Sequence, residues 1–172
     1  MRLFVGLRPD EAARAALTEL QLRLQDAGVA AIYPEPASLH MTLAFIGEWP
    51  ENAAGTLPAV KHPFRLTLSH VGLFREARVI WAGTEESEKL NQLAQQVRIN
   101  LTDAGIPFDP KPFVPHFTLA RKPVVPEGLD LSGMEVPAAV IPVSDVYLFR
   151  SDRGEKGMVY SVIGCGHEQQ GR

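Results

Sequence analysis

The chain carries one cysteine, Cys165, in 172 residues. An intrachain disulfide is therefore impossible and a zinc cluster built on several thiolates is excluded; a reducing, cytoplasmic compartment is the expectation. There is no positive excess either: 17 basic against 20 acidic residues leave a formal charge of −3. That argues against a protein that tracks along a nucleic-acid backbone through many Lys and Arg contacts, so any phosphate must be gripped locally. No apolar run approaches a membrane span, and residues 1–9 hold too short an apolar stretch for a signal peptide. A Gly-x-Ser-x-Gly elbow, a Walker loop and a dinucleotide fingerprint are all missing. What the chain does have is 45% hydrophobic residues, ample for one domain or for two small lobes sharing an interface.

Taken in order, residues 2–7 read as a short buried strand. Ala13, Ala16, Leu17, Leu20 and Leu24 then recur at helical spacing, with Gly28 as the stop. A Pro-containing loop leads to a strand ending near Gly47. Residues 48–63 have broken periodicity, with at most a turn at 57–60, and residues 64–74 alternate as a strand. The pattern then restarts: a strand at 79–83, a helix over 87–104 with Leu90, Leu93, Ala94, Val97 and Leu101 on one stripe, and Gly105 where Gly28 stood. Corresponding residues are about 75 to 77 positions apart, the mark of an internal duplication. A closing strand is expected at 158–163 and a loose tail at 165–172. The expectation is an α+β protein of one two-lobed domain over 1–164, with duplicated β-α-β-β units at roughly 1–76 and 77–164. Antiparallel sheets would line a central cleft, each covered by its own helix.

The duplication brings two similar stretches into corresponding places, Leu39-His40-Met41-Thr42-Leu43-Ala44-Phe45 and Pro115-His116-Phe117-Thr118-Leu119-Ala120-Arg121. A His and a Thr two positions apart in a strand share a face; Met41, Leu43 and Phe45 would bury the other. One such motif is ordinarily a structural histidine, but two at matching places in a repeat are not expected by chance. Across a cleft, one imidazole can act as base and the other as acid near neutral pH. The threonine hydroxyls can donate to the non-bridging oxygens of a cyclic phosphodiester. His62, His70 and His167 lack the motif and read as background. Arg121 could steady a phosphate or simply end a strand in solvent. Trp81 and Tyr160 could stack on a base or belong to the core. Arg75, Arg78, Arg150, Arg153 and Lys156 fall in corresponding loops that would attract an anion if both flanked one cleft.

At these residues the sequence resembles the two-histidine (2H) phosphoesterases, and within them the RNA 2′,3′-cyclic phosphodiesterases, or LigT-like 2′-5′ RNA ligases. The likeness extends to Arg2-Leu3-Phe4-Val5, Val79-Ile80-Trp81-Ala82-Gly83 and Lys111-Pro112-Phe113. It implies a monomeric enzyme, needing no metal or other cofactor, that opens 2′,3′-cyclic phosphate ends of RNA or nucleotides to 2′-phosphates. His40 would be the proton donor and His116 the proton acceptor, with Thr42 and Thr118 on the phosphate. Joining such an end to a 5′-hydroxyl is the reverse chemistry, and a binding module without turnover is the alternative from another class. The short, broken stretch at 48–63 departs from the longer helical segment of many relatives.

Overall fold

Both helices begin and end by the same devices, as a duplication requires. In this computed structural model, which describes residues 1–155 and 157–167, β1 (Arg2–Leu7) leads to α1 (Glu11–Asp26). The Asp10 carboxylate caps that helix by accepting from the Ala13 amide at 2.9 Å. The helix ends in a Schellman motif: Gly28 takes φ +91°, and the Val29 amide reaches back to Leu24 O at 3.0 Å. The second copy, α2 (Glu88–Asp103), is capped by Ser87 Oγ. It stops at Gly105 with φ +72°, the Ile106 amide bonding Leu101 O at 2.9 Å. The apolar stripes read from the sequence are the buried faces.

The remaining strands are β2 (Ala30–Ile32), β3 (Met41–Glu48), β4 (Phe64–Phe74), β5 (Val79–Thr84), β6 (Phe117–Val124), β7 (Val140–Val143), β8 (Tyr147–Gly154) and β9 (Gly157–Cys165). They form two antiparallel sheets ordered β3-β1-β8-β9 and β2-β6-β5-β4-β7. The α+β class and the strand positions agree with the sequence reading, but the division at residue 76 does not describe the sheets. The third strand of each unit crosses over: β4 pairs with β5 and β8 pairs with β1. The physical reason is local closure. A tight turn at residues 75–78 makes β4 and β5 antiparallel neighbours at little entropic cost, and β8 then fills the corresponding place beside β1. The trios β3-β1-β8 and β6-β5-β4 are thus related by the repeat, although each sheet mixes both halves of the chain. Leu3, Val5, Leu43, Ile80, Leu119 and Leu148, all shielded from solvent, belong to a core cluster continuous across both sheets.

The segment at 48–63 forms a 3₁₀ helix at Glu51–Thr56, not a turn at 57–60. It buries Ala53 completely and receives the Asn100 amide of α2 on Thr56 O at 2.9 Å. Nor does the loose tail begin at Cys165. That residue ends β9 and is buried, and the Gly166 amide bonds Val146 O at 2.8 Å. His167 Nδ1 lies 2.7 Å from Asp145 Oδ1 and 2.9 Å from Cys165 Sγ. The rest of the expected tail, 168–172, lies outside the described residues, as does Lys156. Among the described residues no helix is long and apolar enough to cross a membrane.

Candidate active site

His40 and His116 each stand one residue before their strand, β3 or β6. Both side chains are held by their own backbone. Nδ1 of His40 lies 2.7 Å from Ser38 O, and Nδ1 of His116 lies 2.6 Å from Val114 O. A carbonyl only accepts, so each Nδ1 carries a proton and Nε2 is left to exchange one with a ligand. Both histidines and both threonines line one cleft of about 810 Å³ between the sheets. The two motifs do face each other.

A β-bulge shapes each motif. Gly6 pairs with Thr42 but Val5 with Ala44, skipping Leu43; Trp81 pairs with Thr118 but Ile80 with Ala120, skipping Leu119. One inserted residue breaks the period of two. Leu43 and Ala44 are consecutive and both buried, as are Leu119 and Ala120. The residue three beyond each threonine therefore returns to the threonine's face. In the first motif it is Phe45, in the second Arg121, and both line the cleft. Simple alternation places Phe45 on the buried face; the bulge turns it to the ligand side.

Aromatic rings pack behind each imidazole. His40 lies 4.6 Å from Phe4 and 4.8 Å from Tyr160, ring centre to centre, and His116 lies 5.0 Å from Phe74. Trp81 is 4.9 Å from Phe74 and 6.2 Å from His116. Tyr160 and Trp81 thus pack against the histidines and are not among the side chains that line the cleft. Burial pushes His40 down to about 4, with the Arg121 and His116 charges adding and the Ser38 carbonyl opposing. His116 is also lowered, by burial and by Arg121, against the Val114 carbonyl. Arg121 is thus the cation that both imidazoles feel.

Arg75, Arg98 and Lys111 also line the cleft, with Glu76 and Asp109 as its carboxylates. The loop pair expected to attract an anion is split. Arg75 lines the cleft, whereas Arg150 is held by Asp152 at 3.0 Å, and among the described residues the β8–β9 hairpin contributes nothing to the lining. His62 and His70 are exposed and outside it. Asp145, Cys165 and His167 bring three potential metal-ligand atoms within 4.8 Å of one another, but their contacts are those of a hydrogen-bonded knot holding the end of β9. Sequence reading missed Phe45 as a cleft residue, and it missed Arg98 and Gln21, which reach the motifs from the two helices.

A family model described as the 2′-5′ RNA ligase superfamily matches residues 8–155. An RNA 2′,3′-cyclic phosphodiesterase of Thermus thermophilus is 35% identical over 95% of this chain and 88% of its own length. One from Thermotoga maritima is 25% identical over 95% and 93%. Among solved structures, a Thermus thermophilus protein aligns with TM-score 0.74 at 33% identity, covering 96% of each chain. Escherichia coli LigT in apo form shares the fold, with TM-score 0.76 at 24% identity over 95% of each chain. The family match runs from just after β1 to the end of β8 and through both His-x-Thr motifs, and the chain belongs to the 2′-5′ RNA ligase superfamily.

Proposed function

We propose that this protein hydrolyses 2′,3′-cyclic phosphodiester ends of RNA or of nucleotides and leaves a 2′-phosphate. The observation that carries the reading is the convergence of two His-Thr pairs on one cleft, each imidazole with its Nδ1 committed to the backbone. Relatives over most of the chain are named RNA 2′,3′-cyclic phosphodiesterase, and a crystal structure of LigT is described as complexed with 3′-AMP.

Hydrolysis needs the attacking water and the leaving 3′ oxygen in line across phosphorus. His116 Nε2 takes a proton from the water as its oxygen bonds to phosphorus. The electron pair of the P–O3′ bond goes to O3′, which takes the proton from His40 Nε2. Thr42 and Thr118 donate to the non-bridging oxygens, where charge accumulates. His40, pushed down to about 4 in the free protein, must arrive protonated. An entering phosphodiester anion offsets Arg121 and raises its proton affinity, so substrate and catalytic proton enter together.

The test is incubation with a short RNA ending in 2′,3′-cyclic phosphate, read by product mass and by a 3′-specific phosphatase. A product heavier by one water and resistant to that phosphatase is expected. Unchanged substrate with folded protein would sink the proposal. A second reaction at high concentration of RNA with a 5′-hydroxyl reads 2′-5′ joining, in which that hydroxyl replaces water as the group His116 deprotonates and O3′ again takes its proton from His40.

A further inference from the structure

Gln21 is a polar side chain on the apolar face of α1, buried to 5% exposure. Such a group is costly unless its hydrogens are used. Its Nε2 donates to Leu119 O and to Pro34 O, both at 3.0 Å. Leu119 is the bulged residue of the second motif, and Pro34 lies in the loop that leads into His40. The equivalent position in α2 is Arg98. It donates from Nε to Leu43 O at 3.3 Å and from Nη1 to Lys111 O at 2.9 Å. Leu43 is the bulged residue of the first motif, and Lys111 lies in the loop that leads into His116. The arrangement is reciprocal, with each helix tying the approach to one histidine to the bulge beside the opposite threonine.

We infer that Gln21 and Arg98 are positioning residues, a pair of crossed clamps that set the separation and facing of the two His-Thr pairs. A skipped carbonyl in each bulge needs a donor from outside the ladder, and a donor that also holds the facing wall's lead-in loop fixes the two walls against each other. In-line transfer between an acid and a base on opposite walls depends on that span, because displacement by about 1 Å can cost 100-fold in rate. The inference rests on the hydrolytic reading for its kinetic consequence, not for its structural one. Arg98 lines the cleft and could also touch substrate; Gln21 does not line it and is the cleaner probe.

Gln21→Met keeps length and apolar bulk and removes both donors. The clamp predicts about a 10-fold fall in kcat on a nucleoside 2′,3′-cyclic phosphate with KM within about twofold. In Gln21→Met/Thr118→Val the fall should be less than the product of the single effects. Arg98→Lys, which keeps a donor, should lose less kcat than Arg98→Met. Hydrogen exchange supplies a readout that needs no turnover: in Gln21→Met, amides of residues 37–40 and 117–121 should lose protection together, although far apart in sequence. Inactivity of the parent on cyclic phosphates would break the functional reading and leave this exchange test standing. Unchanged protection in both segments, or a lower Tm with kcat intact, would overturn the clamp.

Discussion

The two walls of the cleft use one plan, His-x-Thr-Leu-Ala, and then diverge at its next residue, Phe45 on one wall and Arg121 on the other. Both walls bulge at the leucine, both hold the histidine Nδ1 on the carbonyl two residues back, and both turn the divergent residue toward the ligand. The surroundings are less alike. His40 is packed by Phe4, Phe149 and Tyr160 and feels the charges of Arg121 and His116, whereas His116 is packed by Phe74 and Trp81 and feels Arg121. Duplication supplies two similar motifs, and their neighbours make the surroundings of the two imidazoles unequal, as separate acid and base tasks would require. A pair of identical walls could not favour one direction of proton transfer.

The strongest way to break this comparison is to remove either imidazole. His40→Ala and His116→Ala should each lower kcat by about 1000-fold on a cyclic nucleotide, the size expected of an essential acid or base. A phosphodiester with a nitrophenol leaving group separates the tasks, because a good leaving group needs no acid. It should restore most of the rate to His40→Ala and little to His116→Ala. Equal rescue of both variants would show that the walls share one task. Thr42→Val and Thr118→Val should each cost about 100-fold in kcat, as loss of one oxyanion donor does. A large asymmetry between them would place the transition-state charge nearer one wall.

Titration sharpens the comparison from another side. His40 sits at about 4 in the folded protein, below the unfolded value near 6.5, so the unfolded chain takes up the proton first as pH falls. Its contribution is whole above about pH 6.5 and is lost between there and about pH 4, an effect on the order of 3 kcal/mol. Urea unfolding at pH 4.5 and 7 should show the parent weakened at the lower pH, and His40→Gln weakened less. A steeper pH dependence in His40→Gln than in the parent would contradict burial of a neutral imidazole. Turnover should follow a bell in pH, because one histidine must be charged and its partner neutral.

How much of this was legible depends on how local each feature is. Both helices could be read from Leu17, Leu20 and Leu24 and from Leu90, Val97 and Leu101, because an apolar stripe at helical spacing is written within a few turns. The two His-Thr pairs that share the cleft could be read because the repeat writes them twice. The crossing of β4 and β8 could not, since pairing partners are chosen by closure across the molecule. β2 and β7, with three and four residues, are too short for alternation to register. The bulges were hidden by the counting itself: period two assigns Phe45 to the core, and only the adjacent buried pair Leu43-Ala44, repeated as Leu119-Ala120, hints at an inserted residue. Gln21 was visible in principle as the lone amide on the stripe of Leu17, Leu20 and Leu24.

The smallest predicted effect bears most directly on the divergent pair. Arg121→Phe writes the first wall's residue into the second. It should raise KM for a cyclic nucleotide about 10-fold, the loss of one charge-assisted contact to phosphate, with a smaller fall in kcat. Both histidines should titrate higher in the free variant, because Arg121 holds both down; NMR of the imidazole carbons reads this directly. Phe45→Arg tests the other direction, placing a second cation where Arg2 already lies 5.0 Å from the Phe45 ring. If the two positions were interchangeable, Arg121→Phe/Phe45→Arg would recover the parent KM. Recovery is not expected, because Phe45 shares its wall with His40, the histidine that has to gain a proton, and a new cation there would hold that proton off. A neutral ring at position 45 spares the proposed acid a further cation beside the Arg121 charge that it already feels.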